Sequence, residues 1–441
     1  GAFGVTHLHP LGGPIAGGTV LHAYVLDPQL LVDLGGAAQG PMCRFSYQEQ
    51  SPSFGESFQR SVLVQGTLTN CGGLRGCGAG WDAMQCVVPP HVGSVDSGAT
   101  DAIVEITING QDFSSSGLAY RYFDPANWRV HSITPHGGPL MGNTSIAVAT
   151  SNLQALGDAR CRFGDDARTS EVNASIASAS HLVCVSPAHW DQAHGNQHVE
   201  LQVTLNGQDW MRVGTHSGIF TYYALNEAQH GLRVNHLTPN GGPNAGGTLV
   251  GVQGSGFADF GGLLCVFEGE TAVEATKVSN TLLECHAPST QLNESSSFAT
   301  HSLEVTLNGQ LVALTSSGLG FFYYHSESVA TSRVYPKGGP PNGGTRVTVW
   351  GSGFEDLDHG NGLHCLFGAS SLVPASKASG GDRQERIICA SPRAEVQDLC
   401  SAPDKLFSVP LRVTLNGMNP NGSKGVTAIA DNVHFMYQDI H

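Results

Sequence analysis

The sequence is poor in charge, and above all in positive charge. Charged residues make up 13% of the 441 residues, where about 25% is typical of soluble domains. Lys and Arg total 21 against 36 Asp and Glu, which gives a formal net charge of −15. Because a chain of this charge is repelled by polyanions, we expect no nucleic-acid partner.

Long apolar runs are also lacking. No stretch approaches the ~18 consecutive apolar residues of a membrane-spanning helix, so we expect no membrane insertion within this segment. The first ten residues lack the basic and apolar regions of a signal peptide. We therefore expect a secreted form to have lost its signal already.

Catalytic motifs are absent as well: there is no Gly-x-Ser-x-Gly, Gly-x-x-x-x-Gly-Lys or His-Glu-x-x-His pattern. We predict that the protein is not an enzyme and has no cofactor and no metal site. Two alternatives stay open, although solvated surface side chains are the favoured interpretation. Histidine pairs such as His7 with His9, His194 with His198 and His359 with His364 could bind a metal, and the acidic turns at 165–166 and 355–358 could hold Ca²⁺.

Glycine, in contrast, is abundant. The 57 Gly residues favour a turn-rich all-β chain, and a search for internal similarity finds a repeat. Four segments carry a Pro followed by a Gly-rich turn of the form Pro-x-Gly-Gly-Pro. Their opening prolines are separated by 125, 104 and 97 residues, and they are Pro10, Pro135, Pro239 and Pro336. This spacing is typical of a seven-stranded sandwich.

Each repeat contains three further features in the same order. A Cys lies on an apolar strand, and a second Cys stands just before a Pro, which would end its strand. A strand of alternating apolar and polar residues then ends in Asn-Gly. This pair predicts a hairpin with a type I′ turn, because that turn needs positive φ at both central residues. The four Asn-Gly pairs are at 109–110, 206–207, 308–309 and 416–417. The aromatic residues of the return strands are predicted to pack in the core or between domains.

Together these residues resemble the IPT/TIG family, the immunoglobulin-like domains of plexins, transcription factors and large cell-surface proteins such as fibrocystin. The resemblance rests on Pro-x-x-Gly-Pro-x-x-Gly-Gly-Thr, on Gly-x-Gly-Phe at 254–257 and 351–354, and on the Asn-Gly strand. It implies an all-β fold of four tandem immunoglobulin-like, E-set-like β-sandwiches. The short segments between the repeats predict that these sandwiches form a semi-rigid, elongated rod. The expected domains are 1–124, with a Cys-containing insertion near 46–80, then 125–226, 227–326 and 327–441.

Two cysteines in each repeat resemble the extracellular, disulfide-bonded branch of the family. Pairing them within each repeat gives Cys43 with Cys86, Cys161 with Cys184, Cys265 with Cys285 and Cys365 with Cys389. A local disulfide is expected between Cys71 and Cys77. Cys400 is then left over, and it could be buried and inert, pair with a cysteine elsewhere in a longer protein, or bond another chain. Disulfides indicate an oxidising compartment.

Four Asn-x-Ser/Thr sequons agree with a secreted or cell-surface glycoprotein, at Asn143, Asn173, Asn293 and Asn421. Asn143 replaces the Gly of the other repeats, and Asn is the next best residue for positive φ. The substitution is therefore compatible with a glycan on an exposed turn. Asn143, the insertion with Cys71, and Cys400 are the departures from the repeat where a specific contact is expected first.

We expect a non-enzymatic extracellular structural or adhesive protein. It would be part of a longer cell-surface glycoprotein that assembles into a filament, hair or coat. Its partners would be copies of itself or other surface glycoproteins. Two alternatives remain, an ectodomain segment of a plexin-like or fibrocystin-like receptor and an accessory glycan-binding module.

Overall fold

The protein is all-β, as predicted, and its strands group into four repeats. The computed structural model describes residues 4–25, 40–50, 57–70, 82–91, 99–164, 168–191, 196–214, 218–225, 231–292, 298–355, 357, 362–369, 371–378, 385–394, 406–417 and 433–438. The chain divides into two compact units, residues 1–192 with 197–222, and residues 193–196 with 223–441. The first and second repeats lie in the first unit, and the third and fourth repeats lie in the second.

The first repeat forms one continuous set of eight strands. In chain order they are β1 (Val5–His9), β2 (Gly12–Pro14), β3 (Val20–Val25), β4 (Met42–Gln50), β5 (Ser57–Asn70), β6 (Asp82–Val87), β7 (Ala99–Thr107) and β8 (Leu118–Phe123). Their order by hydrogen bonding is β1-β3-β6-β5-β4-β7-β8-β2.

The long strand β5 joins the two layers of the first repeat. Its residues 57–65 pair with β4, and its residues 66–70 pair with β6. Because one strand serves both layers, the sheet folds over on itself into a sandwich. The stretch near 46–80, predicted as an insertion, thus contributes parts of the paired strands β4 and β5.

The other three repeats follow the same plan. The second contains β9 (Arg129–Thr134), β10 (Gly137–Pro139), β11 (Ser145–Ser151), β12 (Arg160–Gly164), β13 (Thr169–Ser178), β14 (His181–Val185), β15 (Gln197–Thr204), β16 (Met211–Arg212) and β17 (Ile219–Tyr223). The third contains β18 (Arg233–Thr238), β19 (Gly241–Pro243), β20 (Leu249–Ser255), β21 (Leu264–Phe267), β22 (Thr271–Ser279), β23 (Leu282–His286), β24 (Phe298–Thr306) and β25 (Gly320–Tyr324).

The fourth repeat contains β26 (Ala330–Tyr335), β27 (Gly338–Gly339), β28 (Arg346–Ser352), β29 (His364–Phe367), β30 (Ser371–Lys377), β31 (Glu385–Ala390), β32 (Leu406–Thr414) and β33 (His434–Gln438). Short 3-10 helices occur at Leu311–Ala313 and Ser326–Ser328. In these repeats β13, β22 and β30 pass between the layers as β5 does.

Buried and exposed side chains alternate along the strands, and the buried ones form each core. In β7, Ala102, Val104 and Ile106 are buried while Asp101 and Ile103 face outward. Successive strand residues point to opposite faces, so every second side chain enters the sandwich.

A disulfide crosses each core between the strands on either side of the layer-joining strand. In the first repeat it joins β4 to β6. Each of the four joins the two cysteines that recur in that repeat: Cys43–Cys86, Cys161–Cys184, Cys265–Cys285 and Cys365–Cys389.

The Gly-Gly-Pro segments are short strands and not turns, which corrects the prediction. Gly12–Pro14 pairs in parallel with the last strand of its own repeat, and the third and fourth repeats do the same. A Cβ on Gly13 would collide with the hydroxyl groups of Thr19 and Tyr120. The second Gly is therefore required by close approach, and the turn comes later, at Gly17 and Gly18, whose φ values are 71° and 91°.

A tyrosine hydroxyl forms the same hydrogen bond in each of the four repeats. It lies on the last strand and donates to the carbonyl of the Pro after the second Cys, at 2.8–3.0 Å in the pairs Tyr122–Pro89, Tyr222–Pro187, Tyr323–Pro288 and Tyr437–Pro392. Burial raises the pKa of the Tyr323 hydroxyl, so it remains protonated and able to donate. The bond ties the last strand to the segment where the Pro has ended the Cys strand.

Adjacent tyrosines of the third repeat provide a test of this bond. Tyr324 is also buried, but its hydroxyl finds no hydrogen-bond partner among the described residues. We expect Tyr323→Phe to lower the free energy of unfolding by about 1–2 kcal/mol, because the Pro288 carbonyl loses its donor. Tyr324→Phe should leave stability unchanged or raise it. Urea denaturation of both variants checks the difference, and equal effects would show that the hydroxyl bond is irrelevant.

Candidate domain-docking site

Two segments of the second repeat lie against one edge of the first repeat, inside the first compact unit. One is the loop after β15, residues 206–209, here called the docking loop. The other is the segment 156–158. The surface that they cover, residues 11–20 of the first repeat, is here called the receiving edge; it includes β2 and the start of β3.

Direct hydrogen bonds join the docking loop to the receiving edge. Asn206 Nδ2 donates to the Gly12 carbonyl at 3.0 Å, and Thr19 Oγ1 donates to Asp209 Oδ2 at 3.0 Å. Nearby, the Leu11 amide donates to the Leu156 carbonyl at 2.9 Å. The contact thus combines side-chain and main-chain groups from both repeats.

The Gln208 side chain forms the two hydrogen bonds with Val20 that a neighbouring strand would otherwise form. Its side-chain carbonyl accepts from the Val20 amide at 2.8 Å, and its amide donates to the Val20 carbonyl at 2.8 Å. Strand β1 ends at His9, opposite His22, so the outward main-chain groups of Val20 lie beyond its reach. The primary amide of Gln208 has an acceptor oxygen and an NH₂ donor group, so it satisfies both the amide and the carbonyl of Val20.

The centre of the junction is buried, whereas Gln208 lies exposed at its margin. Asn206 and Thr19 are each 2% exposed. Hydrogen bonds in such a place matter because a buried polar group without a partner is costly. The second repeat is therefore held to the first through specific polar contacts.

The docking loop is shaped by its own hydrogen bonds. Asn206 Oδ1 accepts from the amides of Gln208 and Asp209 at 3.1 and 2.9 Å, and Asn206 Nδ2 donates to Asp209 Oδ2 at 2.7 Å. Gly207 has φ of 76°. After the loop, the Arg162 guanidinium stacks on the Trp210 ring at 3.7 Å.

These bonds correct the predicted type I′ hairpin. The Gly of each Asn-Gly pair has positive φ, but none of the four Asn residues does. In the first repeat, β7 ends at Thr107 and β8 begins at Leu118, so the connection is far longer than two residues. The Asn side chain caps the main-chain amides that follow it, and this replaces the tight turn.

The same junction recurs inside the second unit, between the third and fourth repeats. Asn416 Nδ2 donates to Thr248 Oγ1 at 3.4 Å, and Leu357 lies over Gly241 as Leu156 lies over Gly12. Asn416 corresponds to Asn206 in the repeat, and Thr248 corresponds to Thr19. The Asn-Gly and Gly-Gly-Pro motifs are thus two halves of one contact, a role that the sequence analysis missed.

The sequon residues differ in setting. Asn143 is exposed on the turn before β11 with φ of 67°. Asn173 is exposed on β13. Asn293 and Asn421 lie outside the described residues, as do Cys71, Cys77 and Cys400.

The histidines of the candidate metal pairs have separate contacts. His7 stacks on Tyr24 with ring centroids 4.2 Å apart, whereas His9 Nε2 lies 3.8 Å from Asp158 Oδ2. Among the described residues, no group of three or more His, Cys, Asp or Glu side chains is placed to hold a metal ion. His194, His359, the acidic turn at 165–166 and the two aspartates of 355–358 lie outside the described part of the chain.

Within the described ranges, no helix is long and apolar enough to cross a membrane.

A cavity of about 180 Å³ opens beside the junction of the first and second repeats. Its lining includes Phe123, Trp128, Asn152, Gln154 and Leu205. Trp128 Nε1 and Gln154 Oε1 are both buried, and neither has a hydrogen-bond partner among the described residues. The cavity is therefore lined by aromatic, aliphatic and amide side chains, while these two polar atoms are shielded from solvent.

Comparison with known proteins identifies the domain type of two of the four repeats. The family model for the IPT/TIG domain matches residues 129–223 and 232–324, which are the second and third repeats. Fibrocystin-L of Homo sapiens is 32% identical over 129 residues, a match that spans 29% of this chain and 3% of that protein.

Solved structures provide distant neighbours. The full extracellular region of Plexin A4, domains 1 to 10, is 12% identical and covers 98% of this chain and 41% of its own length, with a TM-score of 0.30. The D1–D4 ectodomain fragment of ICAM-5 is 13% identical over 100% of both chains, with a TM-score of 0.19. The chain thus spans less than half of the Plexin A4 region.

Proposed function

Because this chain carries tandem IPT/TIG domains of the disulfide-bonded kind, we propose that it is a non-enzymatic structural or adhesive protein of the cell surface. It is part of a longer glycoprotein that reaches the surface by the secretory route and assembles into a filament, hair or coat. The observation that carries the proposal is the buried polar junction of Asn206 with Gly12, which fixes one domain on the next. Four cross-core disulfides suit an oxidising compartment.

Electron microscopy of native material tests the proposal. Antibodies against the chain should label a regular polymer or coat on the cell surface. Labelling that is confined to dispersed single molecules would contradict assembly.

A non-reducing gel of the same material tests whether Cys400 forms a disulfide with another chain. A band at twice the monomer mass that Cys400→Ser abolishes would support such a bond. A monomer band alone would refute it.

We propose that Asn143 carries an N-linked glycan, because it is exposed and lies within a sequon. The equivalent positions Gly18, Gly247 and Gly344 have φ of 91°, 81° and 82°. We therefore expect Asn143→Gly to remove the glycan mass and change the free energy of unfolding by less than about 0.5 kcal/mol, since Gly accepts positive φ readily.

Asn143→Ala is the matched control, because it also removes the sequon but is strained at positive φ by about 1–2 kcal/mol. Intact-mass spectrometry of secreted protein and thermal unfolding check both variants. An unchanged mass in Asn143→Gly would contradict the glycan at this position.

The cavity beside Trp128 favours a second candidate function, an accessory module that binds a glycan. The aromatic and amide side chains in its lining are of the types that contact the apolar faces and hydroxyl groups of a sugar. NMR titration with mono- and disaccharides should shift the Trp128 indole signal, and Gln154→Leu should abolish the shift. An indole signal that no sugar moves would exclude this function.

A further inference from the structure

One row of side chains on the fourth repeat, here called the arginine row, combines an indole with two guanidinium groups. Arg333 on β26 lies opposite Trp350 on β28, and Trp350 lies opposite Arg386 on β31. The next pair along β26 and β28, Val334 with Val349, is buried in the core. Because successive strand residues point to opposite faces, the arginine row lies on the outer face of the sheet. Arg333 is exposed there, and the other two residues of the row are half-buried.

The other three repeats do not share the arginine row. The same strand pairing defines a corresponding row in each of them, and none contains Arg. These rows are His7–Tyr24–Ala83, Ser132–Ala149–His181 and His236–Gln253–Leu282. Features that the sandwich needs recur in every repeat, as the cross-core disulfide and the tyrosine hydroxyl bond do. The fold therefore does not require the arginine row.

The junction between repeats leaves this row accessible. In the first repeat the second repeat occupies the receiving edge, yet His7, which corresponds to Arg333, is exposed. In the third repeat the fourth repeat occupies the corresponding edge, yet Gln253, which corresponds to Trp350, is exposed. The arginine row thus lies outside the surface through which repeats dock, and a further repeat on the fourth would not cover it.

Arg333 differs from the other stacked arginines in its charge balance. Its guanidinium lies 4.1 Å from the centroid of the Trp350 ring. Two other arginines lie over an aromatic ring, and each also pairs with a carboxylate at 2.6–2.8 Å, in Arg44–Glu105 and Arg162–Glu171. Within the described ranges, Arg333 has no carboxylate at ion-pair distance. The residue beyond its indole is a second cation, Arg386.

The contact with the indole prepares Arg333 for an anion. A guanidinium stacked on a ring presents its planar face to it, so its N–H groups point outward and form a fork that matches the two oxygens of a carboxylate. The indole also restricts the Arg333 side chain, so less conformational entropy is lost on binding. Neighbouring strands lie ~4.8 Å apart, which places the Cα atoms of Arg333 and Arg386 about 10 Å from each other. Both positive charges can therefore act on one anion.

The charge of the whole chain favours a ligand with a single negative charge. At −15 the chain repels polyanions and acidic proteins, whereas two arginines neutralise one carboxylate locally. Hydroxyl groups flank the arginine row, because Ser332 precedes Arg333 and Thr348 lies two residues before Trp350 on the same face. Hydroxyl groups, an aromatic ring and a cation together match the hydroxyls, the apolar face and the acid group of a carboxylated sugar.

We propose that the arginine row binds the carboxylate of an acidic sugar, a uronic or a sialic acid, at the end of a surface glycan. The carboxylate accepts two hydrogen bonds from the Arg333 guanidinium, and Arg386 supplies the second positive charge. The sugar ring packs beside the Trp350 indole. This inference goes beyond the proposed function, because the site serves neither assembly nor the cavity beside Trp128.

Titration of the full chain, followed by calorimetry and by the indole NMR signals, tests the site. The probes are methyl β-D-glucuronide and the methyl glycoside of N-acetylneuraminic acid, one for each class of acidic sugar. Methyl β-D-glucoside is the control that keeps the ring without the carboxylate. The α-amide of N-acetylglutamate is the control that keeps a carboxylate without a sugar ring. The Trp350 indole signal is identified by its loss in Trp350→Phe.

Three variants separate the roles of charge and geometry. Arg333→Gln removes both the charge and the fork, whereas Arg333→Lys keeps the charge alone. Arg393→Gln removes the same charge from another exposed position of the fourth repeat and is the matched control. Because both positions are exposed, the variants should fold normally, as circular dichroism can verify.

We expect at least one acidic sugar to shift the Trp350 indole signal and to bind about tenfold more tightly than the glucoside, since hydrogen bonds to charged groups are the strong ones. Arg333→Gln should weaken this binding about tenfold and Arg333→Lys by less. Arg393→Gln should leave it unchanged, and an equal loss in Arg393→Gln would overturn the site.

The remaining outcomes decide the class of ligand. Equal binding of glucuronide and glucoside would overturn the role of the carboxylate. If the glutamate amide binds as tightly as the acidic sugars, the row recognises acidic peptides and the proposal is wrong. A shift of the Trp128 indole without one at Trp350, or no binding of either acidic sugar, would also overturn it.

Discussion

Asn206→Asp is expected to destabilise the junction of the first and second repeats by about 3–5 kcal/mol, the usual effect of an uncompensated buried charge. The change keeps the size of the side chain but replaces the Nδ2 donor by a carboxylate oxygen. That oxygen would face the Gly12 carbonyl and Asp209 Oδ2, which now accept from Nδ2 at 3.0 and 2.7 Å. Chemical denaturation with hydrogen exchange on β2 and β15 measures the loss.

Asn109→Asp is the matched control, since residues 109–112 have the same sequence as residues 206–209. Asn109 caps the amides of Gln111 and Asp112 in the same way but is only half-buried. The new carboxylate again lies beside an aspartate, but water screens the pair and the repulsion amounts to only about 1 kcal/mol. If the two variants lose equal stability, the contact with Gly12 does not hold the repeats together.

The effect of Asn206→Asp should also depend on pH. Burial and the nearby Asp209 carboxylate both disfavour the charged form, so the new carboxyl has its pKa raised in the folded protein. A raised pKa means that the folded state binds the proton more tightly, so the deficit is full above the folded pKa and shrinks as pH falls through it. A deficit that grows on acidification would contradict this account.

Removing a cross-core disulfide is expected to have an effect of similar size. The Cys43–Cys86 bond spans 43 residues and the Cys265–Cys285 bond spans 20. By the chain-entropy relation, replacing both cysteines by Ala should lower the free energy of unfolding by about 4 kcal/mol in the first repeat and about 3 in the third. The larger loop loses more because its ends are less constrained in the unfolded chain.

Hydrogen exchange can assign each loss to its repeat. Protection should fall in β4 and β6 for the first pair and in β21 and β23 for the second, with the other repeats unchanged. Reduction of the wild type with dithiothreitol should destabilise all four repeats. A variant without Cys43 and Cys86 that unfolds at the wild-type denaturant concentration would disprove a stabilising role for that bond.

Local chemistry made much of the fold predictable. The strand before each Asn-Gly pair alternates with period two, as in Val104 and Ile106, and that alternation predicts a half-buried strand without any tertiary information. The Pro after the second Cys ends its strand because it lacks an amide donor, and β6 indeed stops at Val87, two residues before Pro89. Spacing between repeats then indicated the size of each sandwich.

The two motifs whose roles were wrongly predicted act across long distances in the chain. Asn-Gly has a strong local preference for a tight turn, yet the Asn206 side chain bonds to its own loop and to Gly12, 194 residues away. Gly-Gly-Pro has turn composition, yet Gly12–Pro14 pairs with the last strand of its repeat, near Arg121 and Phe123. Local propensity cannot anticipate a partner that only folding brings close.

By itself, then, the sequence determined four all-β repeats, their cysteines and the positions of their cores, because alternation, proline and recurrence act within a few residues. It also displayed the identical Asn-Gly-Gln-Asp loops at 109–112 and 206–209. Only the tertiary structure decided that Asn206 is buried against a receiving edge, while Asn109 is half-buried. That difference depends on which surfaces the folded repeats bring together, and hydrogen bonds across such a surface leave no local trace in the chain.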